Sequence, residues 1–362
     1  MLTQKQFVEV DDLEKCSQIL RSKDAKVTNM GELIAQISAH TGKSYPWLQR
    51  YTCMSPFSLN GPEHQITRKM LASYFTGHRI QAWEPVFHRM SENCFSNISE
   101  LKNVDLVDDI VVPLTESCTY YALGLELRER TSIEPYLNHL LQLTNFNNPL
   151  KISDFAKLDF SAETLAKAIL DARIPTSSGG PNEPNNTNDF FGYLTEKYQL
   201  STEDKCAYMS AILAAGISTK HTLINVFVEI LSIPQDKRKQ LFSETEASEI
   251  LDRALYTGGG VETIYRKRDD NVVYALNIAK AAESECGCPF SSHNSPANRH
   301  LAFGSGIHKC IGESLSRSIM TIILDHFFRK FPSASLAIRP ASKSYTHSKT
   351  SKITVLLDND HE

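Results

Sequence analysis

The chain has no excess of positive charge: 38 lysine and arginine residues stand against 42 aspartate and glutamate, a net of −4. Without a basic field to meet phosphate backbones, no nucleic-acid partner is expected. The N-terminus, from Met1 to Asp12, carries no apolar run of signal-peptide length, and no later stretch approaches about 18 uncharged apolar residues. The expectation is a cytoplasmic protein with no membrane segment. No internal repeat is visible at the roughly 20 to 50 residue periods of solenoids, and strand signals are few. Collagenous, disordered and coiled-coil classes are excluded by composition, with 41% hydrophobic and 22% charged residues, 16 Gly and 15 Pro. Eight cysteines (16, 53, 94, 118, 206, 286, 288 and 310) are scattered through a chain of 362 residues, too long to need disulfide staples. Most are therefore read as free thiols.

What is present is helical period. Between Lys205 and Leu231, Met209, Ile212, Leu213, Ile217, Leu223, Ile224, Phe227 and Ile230 recur at three- and four-residue steps, the mark of a long, mostly apolar helix. Ser201 and the acids after it suit its start, and Pro234 follows its end. Further helices are expected over 63–74, 78–101, 114–123, 132–146, 162–172, 190–198, 236–242, 247–256 and 311–331. The best strands lie at 103–107, 272–276 and 352–357. The turn-rich stretch 174–188 is read as a surface loop rather than a boundary, which leaves one large, mainly α domain over 1–362.

The most informative segment runs from His300 through Phe303, Gly304, Gly306, His308, Cys310 and Gly312 to Arg317. Glycines there permit close backbone approach, and free amides at a helix start favour a thiolate. A sulfur presented this way is a metal ligand or a nucleophile. The alternatives are an inert buried thiol, and a nucleophilic cysteine served by His308 as base.

The spacing of Phe303, Gly306, His308, Cys310 and Gly312 resembles the haem-binding loop of the cytochrome P450 family. That resemblance implies a P450 fold with heme b as cofactor, Cys310 as its axial thiolate and metal ligand, and Phe303 and Gly312 as part of the cofactor-binding loop. His64 and Arg68, four apart on one helical face, resemble the family's propionate-binding pair, joined by His308 and Arg266. The segment Leu213 to Thr219 is similar to the family's oxygen-side signature, with Ala215 and Gly216 giving space and Thr219, with Ser218, as catalytic proton-delivery residues. Taken alone, the same small residues also suit a helix crossing.

Three departures mark the chain as an atypical, short, bacterial-type member. Ser218 stands where the family carries an acid, so charge is missing from the proton path. The Glu-x-x-Arg motif is absent in the register ending at Tyr256, although Glu249 and Arg253 are spaced to pair along their helix. The stretch 266–300 and the N-terminus are short, which predicts a reduced β-sheet. A zinc site from Cys286, Cys288, His293 and His300 matches no familiar ligand spacing and is set aside in favour of thiols.

The resemblance implies a monooxygenase that oxidises a small organic molecule, in secondary metabolism, with O2 and electrons from a ferredoxin or flavodoxin. Two alternatives stand beside it. One is a haem-thiolate enzyme that uses peroxide or makes a ring or cross-link. The other is a non-catalytic haem-binding recognition module.

Overall fold

The computed structural model describes residues 6–144, 150–174, 189–256, 262–268, 272–285, 290, 300–338 and 352–357. The protein is mainly α: among these residues fourteen α-helices accompany six short strands arranged as two three-stranded sheets. The expected Cys286, Cys288 and His293 and the loop after Ile174 lie outside the described residues. By contact density the chain divides into two compact units, residues 1–26, 75–115 and 218–362 in the first, and 27–74 and 116–217 in the second.

In the first unit, β1 (Gln6–Val10), β2 (Asn103–Asp105), β3 (Thr263–Lys267), β4 (Val272–Asn277), β5 (Ser335–Leu336) and β6 (Thr354–Leu356) form sheets of order β1-β4-β3 and β2-β6-β5. β1 runs parallel to β4 with Gln6 opposite Val272, and β3 runs antiparallel to β4 with Arg266 opposite Tyr274. The sheets are small, as expected. The N-terminal contribution is nevertheless reduced to one strand rather than lost: Phe7, Val8 and Val10 supply enough β-branched and aromatic character to add an edge. Three of the six strands, β1, β3 and β5, were not anticipated from the sequence, because none shows a clean alternation.

Asp12 starts the next helix, Leu13–Arg21, by accepting the Lys15 amide at 2.7 Å. Its buried face, Leu13, Cys16 and Leu20, joins Val10, Tyr256, Leu276, Ile278, Ala281, Ala282 and Leu301 in one core. A second core is aromatic. Phe95, Phe227, Phe327, Phe328 and Phe331 pack mostly edge to face at centroid distances of 5.0–6.2 Å. It binds the helices Gly77–Asn97 and Glu313–Lys330 together. Beside it, Arg238 is 2% exposed and spends its guanidinium on main-chain carbonyls: Ile233 at 3.2 Å, Leu231 at 3.4 Å, and Ala334. A cation over the free carbonyls that end the Thr202–Leu231 helix satisfies acceptors no amide can reach.

In the second unit, Leu48 N donates to Asp159 at 2.8 Å, which fixes the start of the helix Pro46–Met54 against Ile152–Asp171. Tyr74 and Tyr193 hydroxyls donate to the carbonyls of Ala122 and Met70 at 2.7 and 3.0 Å. Phe191 lies under both Arg173, at 3.8 Å, and Lys205, at 4.9 Å. These contacts explain how Lys205 is buried without a carboxylate partner shown beside it.

The helix Thr202–Leu231 revises one expectation. By length and composition it is apolar enough to cross a membrane, but 61% of its apolar window is packed inside the protein. Its hydrophobicity is that of a core helix.

Candidate active site

The Cys310 segment forms a tight loop in the first unit. Cys310 N donates to Phe303 O at 2.8 Å, Gly304 N to Leu301 O at 2.8 Å, and Lys309 N to Gly306 O at 3.1 Å. Gly304 and Gly306 both adopt positive φ, 69° and 70°. At Gly306 the requirement is twofold, since a Cβ would drive into the Leu20 carbonyl, 3.0 Å from Arg21 Cα. The end of the Leu13–Arg21 helix, with Arg21 Nε on Ser305 Oγ at 3.0 Å, thus seats the loop. Gly312 does not need its conformational freedom: its φ is −83°, and it caps the helix Glu313–Lys330. A Cβ there would lie 3.9 Å from Cys310 Sγ, an ordinary contact, so the space beside the sulfur would admit one.

Cys310 is exposed. The contrast with other thiols is physical: burial pushes Cys16 and Cys94 up to about 11, and Cys118 and Cys206 up to about 12. Those four are held as neutral, inert groups. Cys310 instead is presented on a closed turn just before a helix start. Phe303 carries its ring beneath Arg317, whose guanidinium carbon is 5.5 Å from the ring centroid.

Arg266, on β3, is the second informative residue. It is 7% exposed, its Nη1 donates to the neighbouring Tyr265 carbonyl at 2.9 Å, and its buried Nε has no hydrogen-bond partner among the described residues. Desolvation pushes the guanidinium down to about 10. A buried cation without a carboxylate is costly unless an anion completes it. The strand that carries Arg266 also approaches the loop, with Ile264 Cδ1 3.9 Å from where a Gly304 Cβ would stand. A haem propionate fits this arginine, and an exposed thiolate fits the haem iron.

Thr219 is buried in the first unit, and its Oγ1 shares a 2.9 Å hydrogen bond with Ser316 Oγ. Thr202–Leu231 runs as one helix, and the hydroxyl reaches across to the helix after Cys310. Ser218 beside it is half-buried.

His308 closes the short turn Gly306–His308 in the first unit and is half-buried, and the other expected site residues fall in the second unit. His64, 2% exposed, and half-buried Arg68 lie on the helix Gly61–Ala72, which opens with Pro62. Ala215 is exposed, and a Cβ at Gly216 would meet the Thr119 methyl at 3.3 Å. The small residues here thus serve both an open helix face and one close contact.

The structure also shows a group that motif reading passed over. Asp252, on the helix Ala247–Tyr256, receives Arg317 Nη1 and His300 Nε2, the latter at 3.3 Å. Burial would push its carboxyl up, but the hydrogen bond from His300 and the charge and hydrogen bond of Arg317 hold it below the usual carboxylate range. The expected Glu249–Arg253 pair also forms, at 2.7 Å, with Glu249 facing solvent. His300 is engaged by Asp252; Cys286, Cys288 and His293, its companions in the zinc reading, lie outside the described residues.

The family model described as Cytochrome P450 matches residues 288–351. The chain is 22% identical over 295 residues to cytochrome P450(BM-1) of Priestia megaterium, covering 76% of this chain and 70% of that protein. It is 23% identical over 310 residues to the mycinamicin VIII C21 methyl hydroxylase of Micromonospora griseorubida, covering 79% of this chain and 75% of that protein.

 In three dimensions the chain superposes on the cytochrome P450 CYP109B1 of Bacillus subtilis with a TM-score of 0.72 at 19% identity, covering 97% of this chain and 93% of that one. The fold is that of solved cytochrome P450s, and the family match over the cysteine segment and the curated relatives make the chain similar to the bacterial haem-thiolate monooxygenases of that family.

Proposed function

We propose that the chain, as one catalytic domain over 1–362, holds heme b through Cys310 and oxidises a small organic molecule of secondary metabolism. The observation that carries this reading is the pairing of an exposed thiol on a glycine-closed loop with a buried arginine, Arg266, whose Nε lacks a partner among the described residues. When bound, haem supplies the redox chemistry of oxygen activation.

The chain's own residues divide the remaining work. Cys310 Sγ ligates, and backbone closure at Phe303 and Gly306 holds its loop. Arg266 and His308 are the proposed propionate partners, the role that the family resemblance also gives to His64 and Arg68. Ala215 and Gly216 keep a helix face small enough for close approach. Thr219 Oγ1 and Ser316 Oγ share a proton, with Ser218 next in the chain. The substrate class is supported by one relative, the mycinamicin VIII C21 methyl hydroxylase. A ferredoxin or flavodoxin would supply electrons, and a cytoplasmic location suits a chain whose most apolar helix is a core element.

Haem titration of the purified chain tests the reading. One equivalent should bind tightly, Cys310→Ala should abolish the thiolate-type absorption, and Arg266→Met should weaken binding about tenfold. Full-affinity binding with unchanged absorption in Cys310→Ala would overturn it.

A second reading, turnover driven by peroxide, is favoured by one observation: Thr219 is hydrogen-bonded to a neutral serine, and no acid precedes it in the chain. Side-by-side turnover with peroxide and with reductant plus oxygen separates the two. Under the second reading Thr219→Ala leaves peroxide turnover within about twofold of the parent, whereas under the first it removes most reductant-driven turnover.

A further inference from the structure

The Cys310 loop has two stems, and one carboxylate touches both. On the entering side, the Ala302 amide donates to His300 Nδ1 at 3.3 Å. With Nδ1 acting as acceptor, the ring proton sits on Nε2, which lies 3.3 Å from Asp252 Oδ1 and 3.1 Å from Arg317 Nη2. Both nitrogens are then donors, so it is the Asp252 oxygen they share, not a bond between them, that joins the two side chains. On the leaving side, Arg317 Nη1 pairs with the same Asp252 oxygen. Arg317 also reaches Glu313 at 3.4 Å, and Glu313 holds Lys309 at 2.6 Å, one residue before Cys310. The Phe303 ring is flanked by Arg317 and by His300, whose ring centroid is 6.0 Å away.

We propose that Asp252 is the positioning residue of the Cys310 loop, clamping His300 on one stem and Arg317 on the other so that the thiolate keeps its place. The inference rests on the reading of Cys310 as haem ligand and assigns to Asp252 a task that no motif in this chain marks. The carboxylate never touches the cofactor. It acts through His300 and Arg317, and it sits on the same helix as the solvent-facing Glu249–Arg253 pair, which makes no such link.

The test uses haem-loaded protein, reduced and exposed to carbon monoxide, and follows the conversion of the thiolate-type band to the thiol-type band under mild warming. Asp252→Asn should convert about tenfold faster than the parent, and Asp252→Glu should restore most of the difference. Arg317→Gln should also convert faster, and combining it with Asp252→Asn should add less than the two single effects together, since they share one interaction. Glu249→Gln should convert at the parent rate. Conversion at the parent rate in both Asp252→Asn and Arg317→Gln overturns the proposal while leaving the haem reading intact, as does equally fast conversion in Glu249→Gln. A parent protein without any thiolate-type band overturns the haem reading, and the proposal with it.

Discussion

At the residue scale, the site depends on a few side chains whose neighbours decide their state. Arg266 is the clearest case. Its burial without a carboxylate is a standing cost, so replacing it with an apolar group of similar length has two opposed consequences. Arg266→Met should raise the melting temperature of the haem-free chain, measured by circular dichroism, while weakening haem binding. Gly306 works by geometry alone: Gly306→Ala should lower haem retention sharply, because its Cβ meets the Leu20 carbonyl in a backbone conformation that side chains disfavour. The Cys310 motif was legible in the sequence because fixed spacing survives without knowledge of the fold. Asp252 was not, because its partners His300 and Arg317 lie 48 and 65 positions away in sequence, and no local pattern announces such a contact.

At the element scale, two contacts between helices give stability tests. His88 Nδ1 and His326 Nε2 meet at 2.8 Å between Gly77–Asn97 and Glu313–Lys330, and the bond needs one ring to accept. Burial and the neighbouring His88 hold His326 below the ordinary histidine value, against the opposing pull of Glu92 and Asp325. A histidine depressed in the folded state binds fewer protons than in the unfolded state. Stability therefore falls as pH drops below the unfolded value of about 6.5. The melting temperature should decline between pH 7.5 and 5.5, and His326→Gln should flatten that decline. Arg238 gives the second test. Arg238→Met strands the carbonyls of Leu231, Ile233 and Ala334 and should cost about 2 kcal/mol or more in denaturant unfolding. The long helix is readable because its apolar period is sustained, and it starts at Thr202 directly after Ser201, whose hydroxyl accepts the Asp204 amide at 3.1 Å. The strands β1, β3 and β5 were not, since two to five residues on small sheets carry too little alternation to stand out.

At the scale of the whole molecule, the mainly α architecture and the two small sheets agree with the fold class expected from the sequence. The first strand and the first helix both have work to do: β1 extends the sheet that carries Arg266, and Leu13–Arg21 seats the Cys310 loop.

The central claim is that Cys310 is the thiolate ligand of a haem. The most direct measurement is the absorption spectrum of the reduced, haem-loaded protein exposed to carbon monoxide, recorded for the parent and for Cys310→Ala. The account predicts a thiolate-type red-shifted band in the parent that is absent in the variant. A parent spectrum without that shift, or a variant that keeps it, would contradict the account.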